Sequence, residues 1–274
     1  MYKARNSPCV HVSEACLSSL HRVTYILPVA PGSQEKITAN IVLGKTCERA
    51  GNTKDAQEAY EAAIQCSPQN CPHEAYLHLG KLYMQQGLHE YAADVYTHAC
   101  SSYPCGSSWL GLGLAYLRLG RLADADLVLA EAVSCDPQNP IPRSYLALIH
   151  ILVENKGEAC ASLESAEKHG LKDPGIMQEI GEACASKGMF HEAAVILRRA
   201  LACSTQPLFS TVASLGEAHL ACHEVKAARA AWENARALAA SDQETELADA
   251  ALTNIRLLQG DHDEHLQDAV PTEV

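Results

Sequence analysis

The stretch SSWLGLGLAYLRLGRL, residues 107–122, carries glycines at a spacing that could serve nucleotide chemistry. Its segment GLGLA begins like the G-x-G-x-x-G loop, whose glycines let the backbone approach a phosphate closely. Tyr116 stands where that loop requires its third glycine. The segment also lies within a helical pattern instead of between a strand and a helix. The sequence therefore predicts no nucleotide site and no other cofactor.

Two histidine-rich stretches have spacings that could suit a metal ion. His219 and His223 are four residues apart in HLACH, which places two imidazoles on one face of a helix. No third ligand is evident, so we expect His219 to be a packed residue and His223 a turn residue. The stretch DHDEH, residues 261–265, could bind a metal loosely but is more typical of a solvated tail. We therefore predict no metal site and no catalytic residues, and do not expect an enzyme.

Twelve cysteines are scattered along the chain without a C-x-x-C pair. The closest pairs, Cys66 with Cys71 and Cys100 with Cys105, have no matching downstream Cys or His pair of the kind that completes a zinc site. We interpret the cysteines as free thiols that act as small apolar residues in a reducing compartment.

The charge balance of the 274-residue chain argues against two classes of partner. Its net charge is −12, from 33 acidic and 21 basic residues, whereas nucleic acids and anionic membranes bind surfaces with a basic excess. No run of 18 apolar residues suggests a membrane-spanning helix, and the N-terminus lacks the apolar core of a secretory signal. We expect a protein of the cytoplasm or cytoskeleton.

A repeat of about 34 residues organises most of the chain. Segments 73–104 and 106–137 carry the same residue types in one register: an aromatic residue, Leu-Gly, Tyr, Gly, Ala, a large apolar residue, Ala and Pro. These positions are Tyr76, Leu79, Gly80, Tyr83, Gly87, Ala92, Tyr96, Ala99 and Pro104 in the first segment, and Trp109, Leu112, Gly113, Tyr116, Gly120, Ala125, Leu129, Ala132 and Pro137 in the second.

The same register extends in both directions to give six repeats. The glycine of the Leu-Gly pair, or its equivalent, falls at residues 44, 80, 113, 149, 181 and 216. The fourth repeat is degenerate: Tyr145 and Leu148 fit its first helix, and its turn is about two residues short. Turns are expected where glycine can end a helix in the left-handed conformation, near Gly51, Gly87, Gly120 and Gly188.

This pattern resembles the tetratricopeptide repeat (TPR), a pair of antiparallel helices with the consensus W-x2-L-G-x2-Y…A-x3-F…P. The resemblance implies an all-α superhelical solenoid, because one helix pair cannot bury its apolar face without neighbours. The predicted repeats are 37–70, 73–106, 106–139, 142–173, 174–207 and 209–242.

Helical patterns also flank the repeats. Within the N-terminal segment 1–36, Ser13 can cap a helix that runs to Pro28; a strand in RVTYILPVA is the alternative. Residues 243–259 are predicted to form a capping helix that ends at Gly260, before an acidic tail at 260–274. The apolar residues expected on or near one face of this helix are Leu247, Ala251, Ile255 and Leu258.

In TPR proteins the first helices of the repeats line a groove that holds the partner. The groove positions that this resemblance implies are Lys45, Arg49, Leu77, Lys81, Leu110, Leu114, Leu117, Arg118, His150, Glu182 and Glu217. Gly111 joins them, because the repeat does not require glycine there and a bare backbone would admit a partner closely. The groove would run from basic through leucine-rich to acidic, which suits an extended or helical partner of opposite charge gradation. Ordinary solvated charge is the alternative explanation.

A more specific resemblance concerns WLGLGLAYLRLGRLADADLVLAEA, YLALI and LKDPGIMQEIG. Together they are similar to the C-terminal TPR array of a cilia- and flagella-associated family of the central apparatus. The resemblance implies a non-enzymatic scaffold in a large axonemal assembly, located in the cilium or flagellum. The alternative is a soluble co-chaperone or assembly factor that binds clients in the groove. Chaperone-binding TPR proteins pair Lys with Asn, but here Ile41 and Leu77 accompany Lys45 and Lys81, which disfavours an Hsp70/Hsp90 adaptor.

Overall fold

The computed structural model of the chain describes residues 34–67 and 71–267, and every regular element within them is an α-helix. The helices are α1 (Gln34–Arg49), α2 (Thr53–Cys66), α3 (His73–Gln85), α4 (His89–Ser102), α5 (Gly106–Arg118), α6 (Leu122–Cys135), α7 (Pro140–Leu152), α8 (Lys156–Lys168), α9 (Pro174–Ser186), α10 (Phe190–Cys203), α11 (Phe209–Ala221), α12 (Val225–Leu238) and α13 (Asp242–Gln267). None of these helices is long and apolar enough to cross a membrane.

The helices form two compact units. Unit 1 ends at Pro137 and holds three helix pairs, α1–α2, α3–α4 and α5–α6; unit 2 begins at Gln138 and holds α7–α8, α9–α10, α11–α12 and α13. Within each unit, the first helices of successive pairs lie side by side and the second helices pack behind them. The predicted all-α class is confirmed. The predicted helix from Ser13 to Pro28 lies outside the described residues.

Each helix pair turns on one residue with a positive φ. Four of these are the predicted glycines, and the other two are Glu154 (φ 62°) and His223 (φ 61°). In every pair, the residue after the turn donates its backbone N–H to a carbonyl five residues back, as Leu88 does to Tyr83 at 2.9 Å. This is the Schellman pattern, which satisfies a carbonyl that the helix end would otherwise leave unpaired.

The two helices of a pair touch where a glycine faces a large side chain 16 residues later. A methyl group added at Gly80 would lie 2.5 Å from the ring of Tyr96, so only glycine permits this approach. The five pairs built in this way are Gly44 with Tyr60, Gly80 with Tyr96, Gly113 with Leu129, Gly181 with Leu197, and Gly216 with Trp232. These large residues are almost wholly buried, so each contact anchors its repeat in the core.

Gly111 belongs to this packing and not to an open binding surface, so our expectation for it was wrong. It is buried, and a methyl group added there would lie within 2.7 Å of three ring carbons of Tyr96. The Tyr96 ring thus lies between Gly80 of its own repeat and Gly111 of the next. The bare backbone at Gly111 is occupied by a neighbouring side chain instead of being available to a partner.

The register predicted for the fourth repeat is also wrong, by two residues. The backbone N–H of Asn155 donates to the carbonyl of His150 at 2.8 Å, which places His150 at the position of Tyr83. Ala147, fully buried, therefore takes the glycine position in place of residue 149, and Leu163 follows it by 16 residues. The turn then has the normal length, with Glu154 at the left-handed position.

The two ends of the array differ from prediction. Helix α1 begins by Gln34, inside the segment assigned to the N-terminal region, and α13 continues through Gly260 to Gln267. Glycine inside a helix costs only about 1 kcal/mol relative to alanine, so it does not have to end one. Helix α13 packs through Ala248, Leu252 and Ile255, whereas Leu247 and Leu258 are about half exposed. Of the four apolar residues predicted for its face, only Ile255 is fully buried.

Replacing Gly111 with alanine tests the packing of Tyr96. Alanine normally favours a helix by about 1 kcal/mol over glycine, but the clash with the ring should reverse the sign and cost about 1–3 kcal/mol. Urea unfolding followed by circular dichroism measures the change. The matched control is Gly157→Ala, because Gly157 is exposed in α8 and its added methyl meets nothing closer than 4.0 Å. Stabilisation by both variants would contradict the contact with Tyr96.

Replacing His223 with glycine tests the cost of a left-handed turn residue. His223 is exposed, and its φ of 61° is one that side chains with a Cβ adopt at a cost. We expect His223→Gly to raise the free energy of unfolding by about 1 kcal/mol, seen as a higher urea midpoint with an unchanged slope. Gly120→Ala makes the opposite change at an equivalent turn and should lower it. A lower midpoint for His223→Gly would refute this account.

Candidate functional site

The predicted groove residues of unit 1 lie on α1, α3 and α5 at three repeated positions. Lys45, Lys81 and Leu114 directly follow the glycine of the Leu-Gly pair in their repeats. Leu77 and Leu110 precede that glycine by three residues, and Arg49 and Arg118 follow it by five. We call the seven residues of this surface the unit 1 face: Lys45, Arg49, Leu77, Lys81, Leu110, Leu114 and Arg118. All seven are partly or fully exposed, which a partner-binding surface requires.

Carboxylates accompany the lysines of this face. Lys45 Nζ lies 2.5 Å from Glu74 Oε1, and Lys81 Nζ lies 3.6 Å from Glu48 Oε1. Glu48 Oε2 also accepts a hydrogen bond from the hydroxyl of Tyr60 at 3.2 Å and lies 2.8 Å from His78 Nδ1. We call these six residues, which join α1, α2 and α3, the Glu48 network: Lys45, Glu48, Tyr60, Glu74, His78 and Lys81.

The electrostatics of the network follow from these contacts. The hydrogen bond from Lys45 holds the pKa of Glu74 below its usual value. Burial, and then the nearby charge of Glu48, raise the pKa of the Tyr60 hydroxyl, so Tyr60 remains a hydrogen-bond donor. The imidazole of His78 stacks on the Tyr60 ring with centroids 5.3 Å apart. The packed Tyr60 therefore orients two groups that contact Glu48, its own hydroxyl and the imidazole of His78.

The predicted basic end of the groove is a mixed-charge pocket. An open depression of about 440 Å³ is lined by Lys45, Glu48, Arg49, Glu74 and His78. Our prediction from sequence did not include Glu74 and His78, although their spacing of four residues on α3 was a sign that they share a helix face. The pocket can accept a segment that carries both an acidic and a basic group, and it does not present a uniform positive potential.

The leucine patch is smaller than predicted. Leu110 and Leu114 are half-buried, and Leu77 packs partly against the unit 1 core. Leu117 is only 8% exposed, so it is a core residue and not a groove residue. Leu117 points into the interior because it lies one helical turn after Gly113, and the two residues share the packed side of α5.

In unit 2 the structure separates the predicted groove residues. His150 faces its own second helix, with Nδ1 3.3 Å from Ser162 Oγ, and the position that follows Ala147 is held by Leu148, which is buried. The register error explains why His150 was placed on the groove. Glu182 and Glu217 are exposed on α9 and α11, as the acidic part of the prediction requires. The charge gradient itself stays a prediction.

The histidines with metal-ligand spacing are structural, as expected. His219 is 3% exposed, with Nδ1 2.6 Å from Glu224 Oε2 and Nε2 3.4 Å from a guanidinium nitrogen of Arg198. His223 occupies the turn and is exposed. Across the part of the chain that the structure describes, no group of three His, Cys, Asp or Glu residues is placed to hold a metal ion.

Solved structures with the same fold support the TPR assignment. A tetratricopeptide repeat protein from Parabacteroides merdae superposes with a TM-score of 0.64 at 17% identity, covering 89% of this chain and 92% of that one. The Cut9–Hcn1 hetero-tetramer of the APC/C also gives a TM-score of 0.64, at 15% identity, covering 86% of this chain and 46% of that one. At these identities the likeness shows the fold alone, and the predicted TPR solenoid class is confirmed.

Sequence comparisons give the family. The human Cilia- and flagella-associated protein 70 is 33% identical over 132 residues, which cover 48% of this chain and 12% of the human protein. The matched segment is thus about one-eighth of that relative. The profile described as the Cilia and flagella-associated protein 70 C-terminal domain matches residues 18–252, most of the chain. The chain belongs to the family of this C-terminal TPR domain.

Proposed function

We propose that this chain is a non-enzymatic docking module of the ciliary or flagellar axoneme, and that it joins a central-apparatus assembly through the first-helix faces of its repeats. The observation that carries the proposal is the family match over residues 18–252. TPR arrays bind other proteins through extended surfaces that stacked helix pairs create. The cilium or flagellum is inferred from the name of the human relative. The unit 1 face is the surface through which we propose that the chain attaches.

The unit 1 face has the composition of a protein-binding surface. Its half-buried leucines, Leu110 and Leu114, offer apolar area next to the polar Glu48 network. Such an arrangement suits an amphipathic helix or extended peptide, whose apolar residues cover the leucines while its charges pair at the rim. The free energy of binding then comes mainly from burial of the leucines, since the partly exposed ion pairs contribute little.

Among the described residues of unit 1, the carboxylate clamp of chaperone adaptors has no counterpart. Ile41, at the position of the clamp asparagine, is 5% exposed and has no side-chain polar group. Lys45 is already paired with Glu74 at 2.5 Å. A free C-terminal carboxylate would have to compete with Glu74, so these residues favour docking of an internal helix or peptide over capture of a chain end.

The leucines of the unit 1 face give a direct test of docking. We expect the double variant Leu110→Glu, Leu114→Glu to lose at least about tenfold in affinity for its axonemal partners, because two apolar contacts become desolvated charges. Quantitative mass spectrometry of proteins co-purified from ciliated cells measures the loss, and circular dichroism checks folding. Leu127→Glu is the matched control, because Leu127 is 69% exposed on α6, the second helix of the same repeat. An equal loss of affinity in the control and the double variant would contradict docking through the unit 1 face.

Fractionation separates the scaffold from the assembly-factor alternative. A structural module should stay with axonemes after the membrane is removed with detergent, and a salt wash should release little of it, because its attachment is mainly apolar. The measurement is the fraction of tagged chain in the axonemal pellet, before and after the salt wash. Release with the cytosolic fraction before any salt is added would favour a co-chaperone or assembly factor.

A further inference from the structure

One cysteine in unit 1 lies against a histidine and a serine. Cys105 Sγ is 3.3 Å from His73 Nε2 and 3.4 Å from Ser108 Oγ, and the same His73 nitrogen is 2.6 Å from Ser108 Oγ. We call these three residues the Cys105 cluster. Cys105 is partly exposed, whereas Ser108 is fully buried.

The fold fixes the three groups on rigid elements. His73 is the first residue of α3, Cys105 is the N-cap of α5, and Ser108 lies in the first turn of α5. Ser108 Oγ also lies 3.3 Å from the carbonyl oxygen of Tyr103, in the loop before α5. The sulfur therefore sits beside the unpaired backbone N–H groups of a helix N-terminus, where negative charge is favoured.

Other groups around the sulfur set its electrostatic environment. His73 faces it from α3, Cys100 lies near it on α4, and Cys135 and Asp136 end α6 close to the start of α5. Burial lowers the pKa of His73, so its imidazole is neutral at neutral pH and has a lone pair that can accept a proton. Burial raises the pKa of Cys100 to about 12, so Cys100 remains a thiol.

We propose that Cys105 is a covalent modification site for hydroperoxides and other small soft electrophiles, with His73 as the proton acceptor. As the sulfur attacks one peroxide oxygen, the thiol proton passes to Ser108 Oγ and the hydroxyl proton of Ser108 passes to His73 Nε2. The O–O bond breaks, and the departing alkoxide or hydroxide takes the proton from His73. Sulfur is oxidised by two electrons to the sulfenic acid and the hydroperoxide is reduced to an alcohol or water, so Cys–SH and ROOH become Cys–SOH and ROH.

The remaining described cysteines do not have this arrangement. Cys47, Cys71, Cys100 and Cys184 are buried, and burial raises the pKa of each of their thiols. Cys135, Cys160 and Cys203 are exposed, and Cys66 and Cys222 are partly exposed, as Cys105 is. Of the ten cysteines in the described residues, Cys105 alone has a hydrogen bond to a histidine. Ranked by exposure alone, Cys135, Cys160 and Cys203 would be more reactive than Cys105. The Cys105 cluster instead predicts that Cys105 is the most reactive.

A competition among thiols within the intact chain tests the proposal. The full chain is treated with substoichiometric iodoacetamide at pH 7, or with hydrogen peroxide followed by dimedone to trap sulfenic acid, and each cysteine is quantified by peptide mass spectrometry. We expect Cys105 to react about tenfold faster than Cys135, Cys160 or Cys203 in both experiments. A rate at or below those three would overturn the proposal, and this ranking needs no variant.

The variant His73→Gln then tests the role of the imidazole. Glutamine can keep a hydrogen bond to Ser108 but is a much weaker base, so the Cys105 rate should fall to the level of Cys135. Cys47 and Cys184 report folding in the same experiment, because they react only if the core opens. If Cys105 stays fast in the folded variant, then His73 is not the proton acceptor and the proposal fails.

Discussion

The close approach of a glycine to a large side chain 16 residues later is the contact on which the rest of this structure depends. It brings the two helices of a repeat together without a Cβ between them, and it recurs as Gly80 with Tyr96 and as Gly216 with Trp232. The two members must differ in size, because two large residues would separate the helices and two small ones would leave a cavity. Repeat four keeps the rule in milder form, with Ala147 and Leu163.

The same large residue also contacts the next repeat, at the position two residues before that repeat's glycine. It therefore limits which residue type can occupy that position. In the second repeat this position is His78, which stacks on Tyr60; in the third it is Gly111, which lies against Tyr96. One contact between neighbouring repeats thus has two outcomes. In the second repeat, His78 stacks on the tyrosine ring and contacts Glu48. In the third, Gly111 lets the helix backbone lie against the ring. The Glu48 network is a consequence of packing as much as of surface charge.

This dependence explains what could be predicted from sequence. The helix pairs, the glycine turns and the packed role of His219 follow from residue types at fixed spacing, because each is decided within one repeat. Gly111 could not be placed in that way, since the residue that requires it, Tyr96, belongs to the previous repeat. Repeat four was misplaced because neither residue 147 nor residue 149 is a glycine, and Glu154 concealed the turn. On the unit 1 face, the sequence predicted the charges of Lys45 and Lys81, but their partners Glu74 and Glu48 depend on how α1 and α3 lie together.

The pairing of charges before any partner arrives bears on how the unit 1 face can select one. A lysine already held by a carboxylate exerts little long-range attraction, so Lys45 and Lys81 do not steer acidic chains in general. A partner must instead replace or extend existing pairs, which costs free energy unless its own charges match both signs in the right places. The leucines next to the network would stabilise contact with any apolar side chain, whatever the partner's sequence. In the proposed docking, affinity would therefore come from the leucine patch and discrimination from the Glu48 network, which the packing of Tyr60 holds in place.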